Sequence, residues 1–187
     1  MCIRDRYFLV TLAFSGFEAT FALFAEARFG YTASTLGLVF TFIGVILAVV
    51  QGALVGRAVK AIGEPRLVPL AIFAIAIGIG LLPFVWSVPT LLGALGILAI
   101  GMGFNGPALT SMLSRLADPN DQGGILGLGS SLASLGRVVG PAWGGYLYDA
   151  YGMTTPYISA AALMTVAFVV SFVGLRHVKP GDKRSPT

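Results

Sequence analysis

Long apolar stretches separated by short polar segments dominate the chain. Six of them approach or exceed the roughly 20 mainly apolar residues that a transmembrane helix needs. They cover residues 7–25, 33–54, 67–86, 90–113, 123–146 and 156–175. No segment alternates apolar and polar positions as a membrane β-strand does. The pattern therefore predicts an all-α integral membrane protein with six transmembrane helices.

The boundary between the third and fourth stretches comes from length rather than from charge. Residues 67–114 contain no charged side chain and are too numerous for a single crossing. The segment Ser87-Val88-Pro89 interrupts them. We therefore predict two helices joined by a tight turn at this point.

Composition supports a lipid environment. The chain is 56% hydrophobic and only 11% charged, whereas a soluble domain carries about 25% charged residues. So few charges cannot cover a surface that faces water. The net charge of +4 could suggest a nucleic-acid partner in a soluble protein, but here the basic residues lie in short loops, so we expect none.

The distribution of basic residues predicts the orientation. With one exception, every Lys and Arg between the stretches or beyond them lies on the same side, at positions 4, 6, 57, 60, 66, 115, 176, 179, 183 and 184. Arg28 alone lies in a connection on the other side. The excess of positive charge marks the cytoplasmic side. We expect a multi-pass protein of the cell's inner (plasma) membrane with both ends cytoplasmic.

Several kinds of chemistry are not expected. One cysteine, Cys2, and one histidine, His177, provide neither a disulfide framework nor a metal site. The glycine pairs lack the strand and the Lys-Ser/Thr of a phosphate loop, and no nucleophile–base pair stands out. We therefore expect no cofactor and no enzymatic activity.

The first six residues, MCIRDR, resemble the translation of an adaptor used in preparing sequencing libraries. On this interpretation they are a non-native leader, and the protein continues upstream of Tyr7. A signal peptide cleaved after Ala27 is the alternative, but its apolar core would be longer than usual. Residues 177–187 form a polar tail that we place in the cytoplasm.

Two segments resemble a known family. Residues 52–66, GALVGRAVKAIGEPR, are similar to the second, degenerate copy of the basic loop motif of the major facilitator superfamily. The matching positions are Gly52, Arg57, Lys60, Gly63 and Arg66. The aspartate of the first copy is missing here, which weakens the case that this loop gates transport.

The second segment covers residues 114–141 and includes SRLADPNDQGGILG. It resembles the loop before helix eleven, and that helix itself, in drug:proton antiporters of the tetracycline-resistance group. The resemblance implies that the chain supplies helices seven to twelve, the C-terminal half of the transporter. It also implies that helices seven and ten line the cavity, that helix eleven lies close to seven, and that an N-terminal six-helix half is the missing partner.

Two ionisable residues lie about halfway along their stretches, Glu18 in the first and Arg137 in the fifth. A charge near the bilayer centre costs about 2.5–3.5 kcal/mol on insertion scales, so it usually faces the bundle interior. The implied fold brings these two helices together. We therefore expect Glu18 and Arg137 to pair or to share a hydrated cavity, as a static pair or as groups that handle substrate and protons.

Phenylalanines repeat at helical spacing around Glu18, at Phe14, Phe17, Phe21 and Phe24. We expect them to share one inward face with the carboxylate. Such an aromatic wall with one acid suits an amphiphilic, cationic substrate. The alternative is that these rings only pack against other helices.

The remaining candidates are polar or small. Phe104 and Asn105, beside Pro107, are candidates for the cavity, and the alternative for Asn105 is a bond to a neighbouring helix. Small residues at helical spacing let helix backbones approach closely in lipid, and the resemblance implies that this helix packs against the partner half. They are Gly127, Ser131, Gly136, Gly140 and Gly144.

These features favour a secondary active transporter, present here as a fragment, that exports a drug or metabolite in exchange for protons by alternating access. A symporter or uniporter of sugars or metabolites is the alternative within the superfamily. A membrane scaffold or sensor that transports nothing is the alternative from another class. A half-size protein that dimerises is a further possibility.

Overall fold

The computed structural model describes residues 2–116 and 122–177. Residue 1, most of the second loop that resembles the family, and residues 178–187 of the predicted tail lie outside the described residues. Within the described part the chain is helical apart from short connections, and it forms seven α-helices. They are α1 (Cys2–Phe29), α2 (Ala33–Val49), α3 (Val55–Ile62), α4 (Glu64–Leu81), α5 (Val88–Leu116), α6 (Gln122–Tyr151) and α7 (Thr155–His177). The all-α membrane fold is confirmed.

Two short irregular helical segments interrupt this pattern. A π-helical segment, Val50–Leu54, joins α2 to α3, and a 3₁₀ turn, Leu82–Phe84, ends α4. Ser87 and Thr90 close the predicted tight turn, since the Thr90 hydroxyl donates to the Ser87 carbonyl at 2.8 Å.

The basic loop is shorter than the sequence pattern indicates. We expected the second crossing to end at residue 54, but the helical path continues through Arg57 and Lys60 to Ile62. It ends at Gly63, whose φ of 76° lies in the left-handed region that favours glycine. The predicted loop is therefore mostly an amphipathic helix.

Five helical stretches within the described residues are long and apolar enough to cross a bilayer: Tyr7–Phe29, Ala33–Ile62, Glu64–Phe84, Val88–Ser111 and Thr155–Phe172. Helix α6 has the length, with 30 residues, but it is rich in glycine and serine and carries Arg137, which lower its hydropathy. A crossing by α6 stays a prediction.

The helices pack into one bundle. Helix α1 lies against α6 and α7, and α4 lies against α5 and α7. The core is built from Phe17, Phe21 and Phe24 of α1 with apolar residues of α4, α5 and α7. Helix α2 is different, because only 11% of its most apolar stretch is buried, against 50–56% for α1, α4 and α5. Its main contact is with α5.

Candidate functional site

A cavity of about 520 Å³ lies between α1, the end of α2, α5 and α6. The resemblance implied that α1 and α5 line the cavity and that α6 lies close to α1; the contributions of α2 and α6 to the lining are additions. Helix α1 contributes most of the wall, through Tyr7, Val10, Thr11, Phe14, Ser15 and Glu18. Residues 7, 11, 14 and 18 recur at intervals of three or four, so they form one face of the helix. That face is roughly 16 Å long at 1.5 Å per residue.

Glu18 and Arg137 reach this cavity from α1 and α6. Both side chains are exposed in this bundle. They form no ion pair with each other within 4.0 Å, nor with any other residue whose side chain the structure describes. The buried Ser15 hydroxyl instead donates to the backbone carbonyl of Arg137 at 3.4 Å. The structure thus places the two charges in one cavity without a direct bond between them.

Asn105 is the polar residue of α5 that lines the cavity. Only 5% of the residue is exposed, and its side-chain oxygen has no hydrogen-bond partner among the described residues. Gln51, which lies on the π-helical segment, also lines the cavity. Tyr7 donates to or accepts from the Thr110 hydroxyl at 3.2 Å, which links α1 to α5 beside this wall.

The phenylalanines divide between two faces of α1. Phe14 lines the cavity beside Glu18. Phe17 and Phe21 are 2% and 0% exposed, and the Phe17 ring lies 6.1 Å from that of Tyr157 on α7. The expectation that all of them share the face of Glu18 is wrong. At about 100° per residue, the centre of their stripe lies roughly a quarter turn from the carboxylate, so most of the stripe packs into the core.

Phe104, on α5, is half-buried and packs against the core. It is not among the residues that line the cavity, although its neighbour Asn105 is. Successive residues of a helix point about 100° apart, so only one of the two can face the cavity squarely.

Glycines bring α1 and α6 into backbone contact. A Cβ added at Gly140 would lie 2.7 Å from the Leu12 carbonyl oxygen, and one at Gly144 would lie 2.7 Å from that of Gly16. Gly136 is nearly as close, at 3.0 Å from the backbone nitrogen of Leu12. These three glycines therefore serve the packing of this bundle on itself. The expectation that this face of α6 meets a partner half is wrong for them.

Gly127 and Ser131 behave differently from the other small residues of α6. A Cβ at Gly127 would meet no atom within 4 Å. Ser131 is exposed, and its hydroxyl donates to the Gly127 carbonyl at 2.9 Å within the same helix. No described helix would meet a Cβ at Gly127, and the role of both positions in packing stays a prediction.

The basic motif lies at one end of the bundle. Gly52, Arg57, Lys60 and Arg66 are exposed, and Gly63 forms the corner between α3 and α4. The neighbouring Glu64 is buried at 6% exposure, and the Ser111 hydroxyl donates to its carboxylate at 2.9 Å. This bond ties the start of α4 to the end of α5.

Three residues that position the site were missed by sequence reasoning. Gln51 was not among the candidates for the cavity, because its distance along the helix indicates depth but not direction. Gly16 was overlooked, although Thr20 follows it at four-residue spacing and such small residues are the signal of close helix packing. Glu64 was considered only as part of the basic loop, because burial of an acid beside a serine of another helix has no local signal.

The sequence profile of the Major Facilitator Superfamily matches residues 7–187. Multidrug resistance protein 2 of Bacillus subtilis (strain 168) is 32% identical over 170 residues, covering 89% of this chain and 41% of that protein. Tetracycline resistance protein, class C, of Escherichia coli is 32% identical over 166 residues, covering 86% and 41%.

A solved structure agrees with these sequence matches. The crystal structure of the human organic anion transporter MFSD10 (TETRAN) superposes with a TM-score of 0.85 at 26% identity, covering 91% of this chain and 40% of that one. The chain spans about two fifths of the length of the relatives it matches. The resemblance predicted from residues 52–66 and 114–141 is confirmed.

A helical bundle with several apolar helices, a cavity between four of them and a family match over nearly the whole chain lead to one assignment. This multi-pass membrane chain belongs to the Major Facilitator Superfamily, a family of transporters of small molecules across the lipid bilayer rather than of enzymes.

Proposed function

We propose that this chain forms the C-terminal six-helix half of a secondary transporter that exports a small organic molecule in exchange for protons. The observation that carries the proposal is the cavity, in which Glu18 and Arg137 are both present without an ion pair in the described structure. Charges in a membrane cavity that are not neutralised by each other mark substrate and ion pathways. Alternating access then follows from rocking of this bundle against an N-terminal one.

Glu18 is the proposed proton site. Its carboxylate lies on the cavity face of α1, where water can reach it. A carboxylate that faces a changing cavity can take up a proton on one side of the membrane and release it on the other. Substrate and proton would compete for this group, which is the simplest basis for exchange.

The lining suits an amphiphilic substrate. Apolar side chains of α1, α2 and α5 surround the two charges, and Phe14 lies beside Glu18. A carboxylate next to an aromatic ring attracts a lipophilic cation by charge and by cation–π interaction. The names of the Bacillus and Escherichia relatives, which are drug resistance proteins, support this class of substrate.

Organic anions are the second candidate class. Arg137 offers the cavity a guanidinium, and this group matches carboxylate geometry with two parallel N–H donors. The solved relative MFSD10 is described as an organic anion transporter. An anionic or zwitterionic substrate would satisfy Arg137 in the way that Glu18 does not.

The proposed location is the inner (plasma) membrane, with both ends and the basic motif in the cytoplasm. Arg57, Lys60 and Arg66 are exposed at one end of the bundle. At the other end Trp86 and Tyr151 are exposed, which is typical of the aromatic belt at a membrane surface. The basic residues support the orientation by the positive-inside rule, and the aromatic residues support a membrane surface at the opposite end.

Transport by the full-length protein in proteoliposomes tests the proposal. With an imposed pH gradient, we expect uptake of ethidium, a lipophilic cation, and we expect Glu18→Gln to abolish the response to the gradient. Glu26→Gln is the matched control, because Glu26 is exposed on α1 and is not part of the cavity. Fluorescein tests the anion class, and its uptake should depend on Arg137.

Two outcomes would contradict the proposal. If neither dye moves with or without a gradient, the scaffold or sensor becomes the better interpretation. If ethidium moves and Glu18→Gln behaves like Glu26→Gln, protons are not carried at Glu18. Uptake of a sugar or metabolite, down its own gradient or together with protons, would instead favour the uniporter or the symporter.

A further inference from the structure

We infer that the cavity contains a second binding site, uncharged and formed by the amides of Gln51 and Asn105, which recognises a hydroxyl or N–H group of the substrate. This inference rests on the proposed function and specifies the substrate further. The site is distinct from Glu18 in position and from both charged residues in chemistry.

The two amides and the Glu18 carboxylate lie at different depths along the helices. Counted from the ends of their helices that lie opposite the basic motif, Gln51 and Asn105 lie roughly 26 Å along α2 and α5, and Glu18 lies roughly 16 Å along α1. The amides are therefore about 10 Å closer to the basic end than the carboxylate is. A substrate that reaches both is elongated, with its charge near Glu18 and a neutral polar group near the amides.

The side chain of Asn105 contains a buried hydrogen-bond acceptor without a described partner. The residue is 5% exposed and lines the cavity, and its Oδ1 has no partner in the part of the chain that the structure describes. Buried polar atoms are almost always bonded, so such an exception calls for a ligand or water. Rotation about the broad Cβ–Cγ torsion of asparagine turns this oxygen toward a donor in the cavity.

The π-helical segment holds Gln51 in the wall of the cavity that Asn105 also lines. Val50 is 2% exposed, and it fills the notch left by Gly103, where an added Cβ would lie 2.7 Å from Val50 Cγ1. Gly103 precedes Asn105 by two residues and faces about 200° away from it on α5, so this contact fixes the depth of Gln51 along α5, while both amides line the same cavity. Single π-helical turns inside α-helices frequently occur at functional sites.

The chemistry of the two amides defines the ligand group. Each amide offers one acceptor oxygen and two N–H donors and carries no charge. The nearby Tyr7 and Thr110 hydroxyls already bond each other, so the amides are the free polar groups of this wall. A site that bonds a substrate hydroxyl discriminates against an analogue without it, because the site's polar groups are then left unpaired.

The test uses the full-length protein and two lipophilic cations that differ by one hydroxyl, tetraphenylphosphonium and (4-hydroxyphenyl)triphenylphosphonium. Affinities are measured by displacement of ethidium fluorescence. We expect the wild type to bind the hydroxylated cation about tenfold more tightly, the effect of one hydrogen bond. Asn105→Leu and Gln51→Met should each reduce this preference while retaining affinity for tetraphenylphosphonium.

Thr41→Val on α2 is the control, because Thr41 is exposed and bonds only within its own helix. Gln51→Met keeps the test valid if Asn105→Leu does not fold, since Gln51 is exposed. Equal affinity of the wild type for both cations would overturn the amide site and leave the proposed function intact. An equal loss of affinity for both cations in the variants would also overturn the amide site. If the wild type binds neither cation, both the cationic substrate class and the amide site are excluded.

Discussion

Gly144 on α6 lies against the backbone of Gly16 on α1, so closely that an added Cβ would be 2.7 Å from the Gly16 carbonyl oxygen. No side chain separates the two helices at this point. Hydrophobicity gives no preference for helix contact in lipid, so close packing of this kind holds the helices together. It also holds Glu18 and Arg137 on neighbouring helices around one cavity.

This contact predicts a large effect from a single methyl group. Gly144→Ala places carbon against backbone, which cannot move as a flexible side chain does, so we expect a loss of about 1–3 kcal/mol of stability. The measurement is the thermal midpoint of the full-length protein in detergent. Gly145→Ala is the matched control, because a Cβ there meets nothing within 4 Å. Equal midpoints for the two variants would contradict the packing described here.

Glu18 and Arg137 should be only weakly coupled. They line one cavity without an ion pair in the described structure, so a double-mutant cycle of Glu18→Gln and Arg137→Gln should give a coupling near about 0.5 kcal/mol, the low end of the range for residues that share a cavity. Thermal midpoints of the wild type and the three variants provide the cycle. A coupling well above that value would show that the two side chains form a static pair.

The hydrogen bond between Ser111 and Glu64 should contribute measurably to stability. The serine hydroxyl donates to the buried carboxylate at 2.9 Å, and hydrogen bonds to charged groups contribute about 1.5–3 kcal/mol. Ser111→Ala should therefore lower the thermal midpoint clearly. Ser134→Ala, which removes an exposed hydroxyl from α6, should leave it nearly unchanged. A silent Ser111→Ala would mean that the other contacts of Glu64 are sufficient.

Arg28 and Trp86 connect the first and third crossings on the side away from the basic motif. The guanidinium carbon lies 4.2 Å from the centre of the indole ring, and Nε donates to the Val85 carbonyl at 3.3 Å. Trp86→Ala should cost about 0.5–1 kcal/mol of stability, in the range of cation–π pairs at exposed sites. Phe84→Ala removes a similarly exposed ring nearby and is expected to be silent. A larger loss of thermal stability in Phe84→Ala than in Trp86→Ala would exclude the contact between Arg28 and Trp86 as a stabilising one.

Much of the fold could be predicted from sequence because membrane insertion depends on local composition. Five of the predicted crossings correspond to apolar helices, and α6 follows the range of the predicted fifth crossing. The family resemblance placed α5 and α6 beside α1 correctly. The end of the second crossing was wrong, because Arg57 and Lys60 can continue a helix at the membrane surface until Gly63 ends it.

The candidate site was less predictable because periodicity gives a face but not its neighbours. Phe14 and Phe21 are both close in angle to Glu18, yet one lines the cavity and the other is buried at 0% exposure. The difference depends on where α7 and its Tyr157 ring lie, which the sequence of α1 does not contain. Gln51 was not predicted to line the cavity for the same reason, since its direction depends on the contact of Val50 with Gly103.

The shallow packing of α2 has a consequence for assembly. Its most apolar stretch has a mean hydropathy of 2.5, equal to that of α4, but only 11% of it is buried, against 56% in α4. Neighbouring helices of this bundle therefore cover most of α4, whereas most of α2 is left for lipid or for the proposed N-terminal half. Val50 and Gly103 are a close point of attachment of α2 to α5. We therefore expect the position of Gln51 to depend on what surrounds α2 more strongly than the position of Asn105 does.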